Sequence, residues 1–151
     1  PVLCDTSPCL YRMRRVMSET LKLYEPVEFV HAFLLDKLVF SPKKEPVAIH
    51  PTCSTKKMGL TEKMKEVASR CAEKVIIPPD VNCCGFAGDK GFHIPELNAH
   101  GLRTAGPLIA REGVKTGYSN SRTCEIGCAA HIGIPYMSIM YLVDDVTTAA
   151  E

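Results

Sequence analysis

VAIHPTCSTKKMGLTEKMKEVASRCAEKVII, residues 47–77, is the stretch on which the fold turns. Val47-Ala48-Ile49-His50 is a short β-prone run stopped by Pro51, since proline has no N–H to give a sheet ladder. Over 61–73, Met64, Val67, Ala68, Cys71 and Ala72 recur at spacings of three and four, the apolar stripe of an amphipathic helix. Lys74-Val75-Ile76-Ile77 is a second β-prone run, closed by Pro78-Pro79. A strand, a helix and another strand in this order predict a parallel crossover.

The same alternation extends both ways. Downstream come a Gly-rich loop at Asn82–Gly88, a helix opening at Pro95 and running to about Arg111, and a strand over Val114–Ser119. Gly106-Pro107 is expected to kink that helix. Pro135 leads into a last helix over 138–149, with Ile139, Leu142, Val143 and Val146 apolar. Upstream, Pro1–Asp5 reads as a strand end and Ser7-Pro8-Cys9 as a turn. Residues 10–24 read as a helix carrying Leu10, Met13, Val16, Met17, Leu21 and Tyr24. A second helix starts at Pro26, with Phe29, Val30, Phe33, Leu34 and Leu38 on one side, and 41–45 is a polar loop. Short strands alternating with longer helices predict an α/β fold, a mainly parallel sheet with helices on both faces. Sites in such sheets sit beyond the strand C-termini, so the loops at His50–Cys53, Cys83-Cys84 and Cys124 are expected at one edge.

The 151 residues suit one domain. An apolar fraction of 46% with 23% charged residues excludes a disordered chain. A net charge of +1 speaks against a nucleic-acid binder. No apolar run approaches the roughly 20 residues of a membrane helix. PVLCDTSPC at 1–9 carries no secretion signal, which predicts a reducing, cytoplasmic setting. There the eight cysteines are expected to be metal ligands or redox groups rather than disulfides.

Two segments resemble each other. CDTSPC at 4–9 followed by Pro26–Asp36 parallels SNSRTC at 119–124 followed by Pro135–Asp145. Cys9 aligns with Cys124 and Pro26 with Pro135; Val30, Phe33, Leu34 and Asp36 align with Ile139, Leu142, Val143 and Asp145. The plain alternative is a chance match of two amphipathic helices. The sharper expectation is a duplicated unit: residues 1–45 would be the C-terminal half of a first copy and 46–151 a second. Together they would form one compact domain, a fragment of a longer protein.

Cys53, Cys83, Cys84, Cys124 and Cys128 form the candidate constellation. Adjacent cysteines such as Cys83-Cys84 rarely bridge to each other, because their side chains diverge along an extended backbone. They suit a metal, and thiolates are soft ligands for iron–sulfur clusters and zinc. Gly85 and Gly88 let backbone N–H groups approach sulfur. His50 is either a ligand or a loop residue bonded to backbone. Arg122 and Lys90 flank the cysteine loops, as thiolate-stabilising cations or as solvated charge. Cys71 belongs to a helix stripe and reads as core.

The pattern Cys53…Cys83-Cys84-Gly85…Cys124 resembles the cysteine-rich CCG domain. That domain occurs in heterodisulfide reductase subunits and in the iron–sulfur subunits of glycolate oxidase and anaerobic glycerol-3-phosphate dehydrogenase. It also forms the C-terminal part of FAD-linked D-lactate dehydrogenases. The longer strings are most similar to the last group: HPTCSTKKMGL at 50–60, CCGFAGDKGF at 83–92, PELNAH at 95–100, SRTCEIG at 121–127 and IPYMSIMYLVD at 134–144. The resemblance implies an iron–sulfur cluster on Cys53, Cys83, Cys84 and Cys124, with Cys9 and Cys128 as further metal candidates and Gly85 and Gly88 lining the cofactor. It implies N-terminal FAD and ferredoxin-like regions in a parent 2-hydroxy acid oxidoreductase, with electrons passing to a quinone or cytochrome at the inner face of a membrane. It places no catalytic residue in this region.

The sequence departs from the pattern at Gly127, where the family's closing Cys-x-x-Cys has its second cysteine; Cys128 comes one residue late. Three other readings compete: a structural zinc site of four thiolates or three plus His50, a thiol–disulfide redox domain, and a docking domain whose cluster site is empty. A face left open by a truncated first copy would favour a homodimer.

Overall fold

The β-prone run at Val47–His50 lies inside a four-stranded, all-parallel sheet, and its two faces look into two separate cores. This computed structural model describes residues 1–17 and 19–150. The elements begin with β1 (Val2–Leu3), α1 (Ser7–Met17), β2 (Leu23–Tyr24), α2 (Pro26–Phe29) with a π-helical continuation at Val30–Leu34, and β3 (Leu38–Phe40). Next come β4 (Val47–His50), α3 (Cys53–Lys57), α4 (Thr61–Cys71) and β5 (Val75–Ile76). After a 3₁₀ turn at Lys90–Phe92 follow α5 (Pro95–Leu102), α6 (Ala105–Arg111) and β6 (Thr116–Ser119). The last elements are α7 (Arg122–Ile132), β7 (Tyr136–Ser138), α8 (Ile139–Val146) and β8 (Thr147–Ala149).

The sheet order is β5-β4-β6-β7, every pair parallel. Side chains alternate across a strand, so Val47 and Ile49 enter one core while Ala48 enters the other. The first core joins Val47, Ile49 and Tyr118 to Met64 and Val67 of α4 and to Ile139 and Leu142 of α8. The second joins Ala48 and Tyr136 to Leu102, Ile109, Cys124 and Cys128 of α5, α6 and α7. Helices therefore cover both faces, the α/β architecture expected from the alternation. No helix of the described residues is long and apolar enough to cross a membrane.

Several boundaries differ from expectation. The helix read over 10–24 ends at Met17, and Leu23–Tyr24 pairs in parallel with Val2–Leu3. Leu38, read as helical, opens β3, which pairs antiparallel with β8; the last helix accordingly stops at Val146 instead of 149. The helix expected over 95–111 breaks at Arg103-Thr104 rather than at Gly106-Pro107. Pro107 is the third residue of α6, where an N–H has no intrahelical partner to lose. Helices α3 and α7 were not expected as helices at all.

The two segments noted as similar share an order of elements. β1-α1-β2-α2 and β6-α7-β7-α8 each pair their two strands in parallel. Helices α1 and α7 both have 11 residues, and Cys9 and Cys124 are the third residue of each. The proposed match of Pro26 with Pro135 does not hold: Pro26 opens α2, whereas Pro135 precedes β7 and α8 opens at Ile139. The shift is about one helical turn, a slip that leaves the apolar phase nearly unchanged.

Candidate metal centre

Three chain crossings beyond the strand ends deliver the site. His50 closes β4, and Thr52 caps α3 by accepting the Thr55 N–H on its Oγ1 at 3.2 Å, which makes Cys53 the first residue of that helix. The loop after β5 brings Cys83 and Cys84 and then turns at Gly85, whose φ is +78°. A Cβ there would stand 2.2 Å from the Leu97 carbonyl oxygen, so glycine is required both by conformation and by close approach. After β6, Asn120 and Ser121 lead into α7, which carries Cys124 in its first turn.

His50, Cys84 and Cys124 are all buried, and their ligand atoms lie within 4.8 Å of one another. The Cys84 Sγ donates to the Cys124 Sγ at 3.1 Å. The His50 Nε2 is buried without a hydrogen-bond partner. Burial, helped by the Lys56 charge, holds the His50 pKa at about 4, so the imidazole is neutral near pH 7 and keeps a lone pair for a cation. Cys83 lies against both Cys84 and Cys53, and its Sγ accepts the Gly85 N–H at 3.4 Å. The Phe86 N–H serves Cys84. The hydrogen bond to Cys124, with burial, pushes the Cys84 thiol up to about 12. Cys83 is raised by its bond to Cys84 and by burial, and Cys53 chiefly by burial. Uncharged thiols beside a neutral imidazole give up protons when a metal takes their place. This cysteine-rich patch has the donors to bind a soft metal.

Helices α5 and α7 clamp the cysteine pair. The buried Asn98 Nδ2 donates to the Cys84 carbonyl. Gly101 passes so close that a Cβ would sit 2.9 Å from the Cys83 carbonyl oxygen. At Gly127 a Cβ would come within 2.7 Å of both Asn98 amide atoms and 2.8 Å of the Phe86 ring. Position 127 therefore has no room for a side chain beside the amide that holds Cys84.

The structure brings Cys84 and Cys124 together with His50, whose Nε2 has no hydrogen-bond partner; Cys83 and Cys53 lie next to this triad but outside it. Cys128 is fully buried in the second core, outside the triad, and burial raises its thiol. Cys9 is exposed on α1 and outside the triad as well. Gly88 takes a φ of +77° as a turn residue; the sulfur-directed N–H groups come from Gly85 and Phe86 instead. Arg122 is paired with Glu125 at 3.0 Å, and the cations beside the cysteines are Lys56, which interacts with Cys83 and Cys53, and Lys57, whose charge acts on Cys53, rather than Arg122 or Lys90. With α3 unread as a helix, the spacing of Lys56 from Cys53 gave no signal in the sequence. All eight cysteines are free thiols. Comparison with protein-family models and with curated proteins gives no match.

Proposed function

We propose that this chain is an iron–sulfur electron-transfer domain of the CCG type, working within an FAD-linked D-lactate or related 2-hydroxy acid dehydrogenase. One observation carries the reading: the adjacent pair is shared, with Cys84 meeting Cys124 and His50 while Cys83 lies against Cys53. A mononuclear zinc site is filled by four donors. Four thiols and an imidazole exceed that number, which favours a multi-iron group over zinc. Cys53, Cys83, Cys84 and Cys124 would hold it, and the N–H groups of Gly85 and Phe86 would tune it. When bound, such a cluster accepts and releases single electrons. The flavin, the ferredoxin-like region and the hydroxy-acid site belong to the rest of the parent chain, and a quinone or cytochrome at the inner face of a membrane takes the electrons. The shared element order of 2–34 and 116–146 supports descent from a doubled unit.

Iron, zinc and sulfide analysis of the anaerobically purified parent protein, beside a Cys83→Ser/Cys84→Ser variant, tests the reading. Iron with sulfide is expected in the parent. Both should be lost in the variant, together with reduction of the acceptor but not of the flavin. Zinc alone leaves a structural site, and full turnover without metal leaves a docking domain.

A thiol–disulfide couple is the second reading, favoured by the 3.1 Å approach of Cys84 to Cys124. It expects a metal-free protein that loses two titratable thiols on oxidation.

A further inference from the structure

We propose that Lys56 is a positioning residue of the cysteine site, supplying the positive charge that offsets its thiolates and tying the two ligand loops together. The inference rests on the metal-centre reading and goes beyond it, because nothing in the cysteine pattern assigns a role to Lys56.

Lys56 follows Cys53 by one turn of α3, so both side chains leave the same face of that helix. Its Nζ donates to the Val81 carbonyl at 2.7 Å. Val81 is two residues before Cys83, so this single bond links the segment carrying Cys53 to the loop carrying Cys83 and Cys84. The side chain is only half-exposed. Among the described residues no carboxylate pairs with it; its partner is a backbone oxygen, which leaves the positive charge uncompensated. A partly buried ammonium without a counter-ion is costly unless an anion stands nearby. The groups that feel it are Cys53, Cys83 and His50. Four thiolates around a divalent metal, or around an iron–sulfur core of similar charge, carry net negative charge. Lys56 is placed to meet that charge when it forms. The neighbouring Lys57 lies over the Tyr11 ring, 5.7 Å from its centroid, and its charge reaches Cys53 alone, whereas Lys56 also reaches Cys83 and bonds the loop that carries it.

The test uses Co²⁺ as the probe, titrated anaerobically into the reduced full chain and followed by thiolate-to-cobalt absorption. Wild type, Lys56→Met, Lys56→Arg and Cys84→Ser are compared at low and high salt, with circular dichroism to establish folding. Lys56→Met is expected to bind the same number of ions roughly tenfold more weakly, the scale of one charge removed from a partly hydrated site. Lys56→Arg is expected to restore most of that loss. The gap between wild type and Lys56→Met should narrow in high salt, because screening weakens a charge effect but not a packing effect. Equal affinity in wild type and Lys56→Met overturns the role of Lys56 and leaves the metal centre standing. A loss of affinity that Lys56→Arg does not restore and salt does not change marks a mere tether and overturns the charge role. Absence of thiolate–cobalt absorption in wild type, or its persistence in Cys84→Ser, overturns the metal-centre reading and the role of Lys56 with it.

Discussion

At position 127 the absence of a side chain makes room for the amide that holds Cys84. A Cβ on Gly127 would stand 2.7 Å from the amide of Asn98, which is itself 1% exposed and bonded to the Cys84 carbonyl. Gly127→Cys is therefore expected to overpack the site, with a loss of about 1–3 kcal/mol and no extra metal per chain. Urea unfolding and metal analysis check both halves. Adding Asn98→Ala should open the space and recover part of the stability; a Gly127→Cys protein as stable as wild type would mean that Asn98 yields freely. The cysteines themselves were legible from adjacency and the glycine that follows. The imidazole was only half legible: the sequence puts His50 at a strand end as either a ligand or a backbone-bonded residue, and the structure shows it 4% exposed with Nε2 unpartnered. Lys56 and Asn98 stayed hidden because their roles depend on crossings between distant segments, the carbonyls of Val81 and Cys84.

Among the elements, α7 shows why a helix can escape periodicity. Cys124, Glu125, Gly127 and Cys128 are all buried, so its inner face mixes a charge, a glycine and two thiols instead of a plain apolar stripe. Its end is better marked: Gly133 takes a φ of +85° and its N–H returns to the Ala129 carbonyl. A Cβ on Gly133 would meet nothing within 4 Å, so the conformation alone demands glycine. Gly133→Ala is expected to lower stability by about 1 kcal/mol while leaving metal content unchanged, since no ligand lies beyond Ile132. Thermal melts with metal analysis test this; a loss of metal in step with stability would tie the cap to the site. The sheet strands β4 and β5 were legible because each carries an apolar run closed by proline, while β6, Thr116–Ser119, falls inside the strand expected over Val114–Ser119 without an apolar run of its own. The pairs β1–β2 and β3–β8 are only two and three residues long. β1 lies in the strand end read over Pro1–Asp5, but β2, β3 and β8 exist through their distant partners, and local sequence carries little trace of them.

Across the whole molecule, one buried polar chain ties together four segments that sequence keeps far apart. The Glu25 carboxylate accepts the Val27 N–H at 2.7 Å and the Asn120 amide at 3.1 Å; Asn120 also donates to Thr55 at 2.6 Å. Thr55 meets Thr52 at 2.7 Å, and Thr52 meets Ser7 at 2.6 Å, which joins the starts of α1, α2, α3 and α7. Glu25 is 1% exposed, and burial raises its pKa above the usual carboxylate range despite the donors around it, with nearby Glu28 adding a small push. Glu28 is itself held by Arg14 and Lys63, so the charge facing Glu25 is largely compensated. A raised folded pKa fixes the sign: the unfolded chain gives up the proton first, so stability falls as pH climbs above about 4.5 and levels off once the folded carboxyl has ionised. Glu25→Gln keeps an acceptor for the α2 N–H groups and cannot ionise. The stability of wild type relative to Glu25→Gln should therefore fall between pH 4.5 and neutrality, by up to about 1.4 kcal/mol per pH unit within the window. Urea unfolding of the two proteins across that range isolates the effect, because every other carboxylate cancels in the difference. A difference constant with pH would mean that the hydrogen bonds from Asn120, Val27 and Glu28 fully offset the burial of the charge, and that the chain of polar side chains holds an ordinary carboxylate.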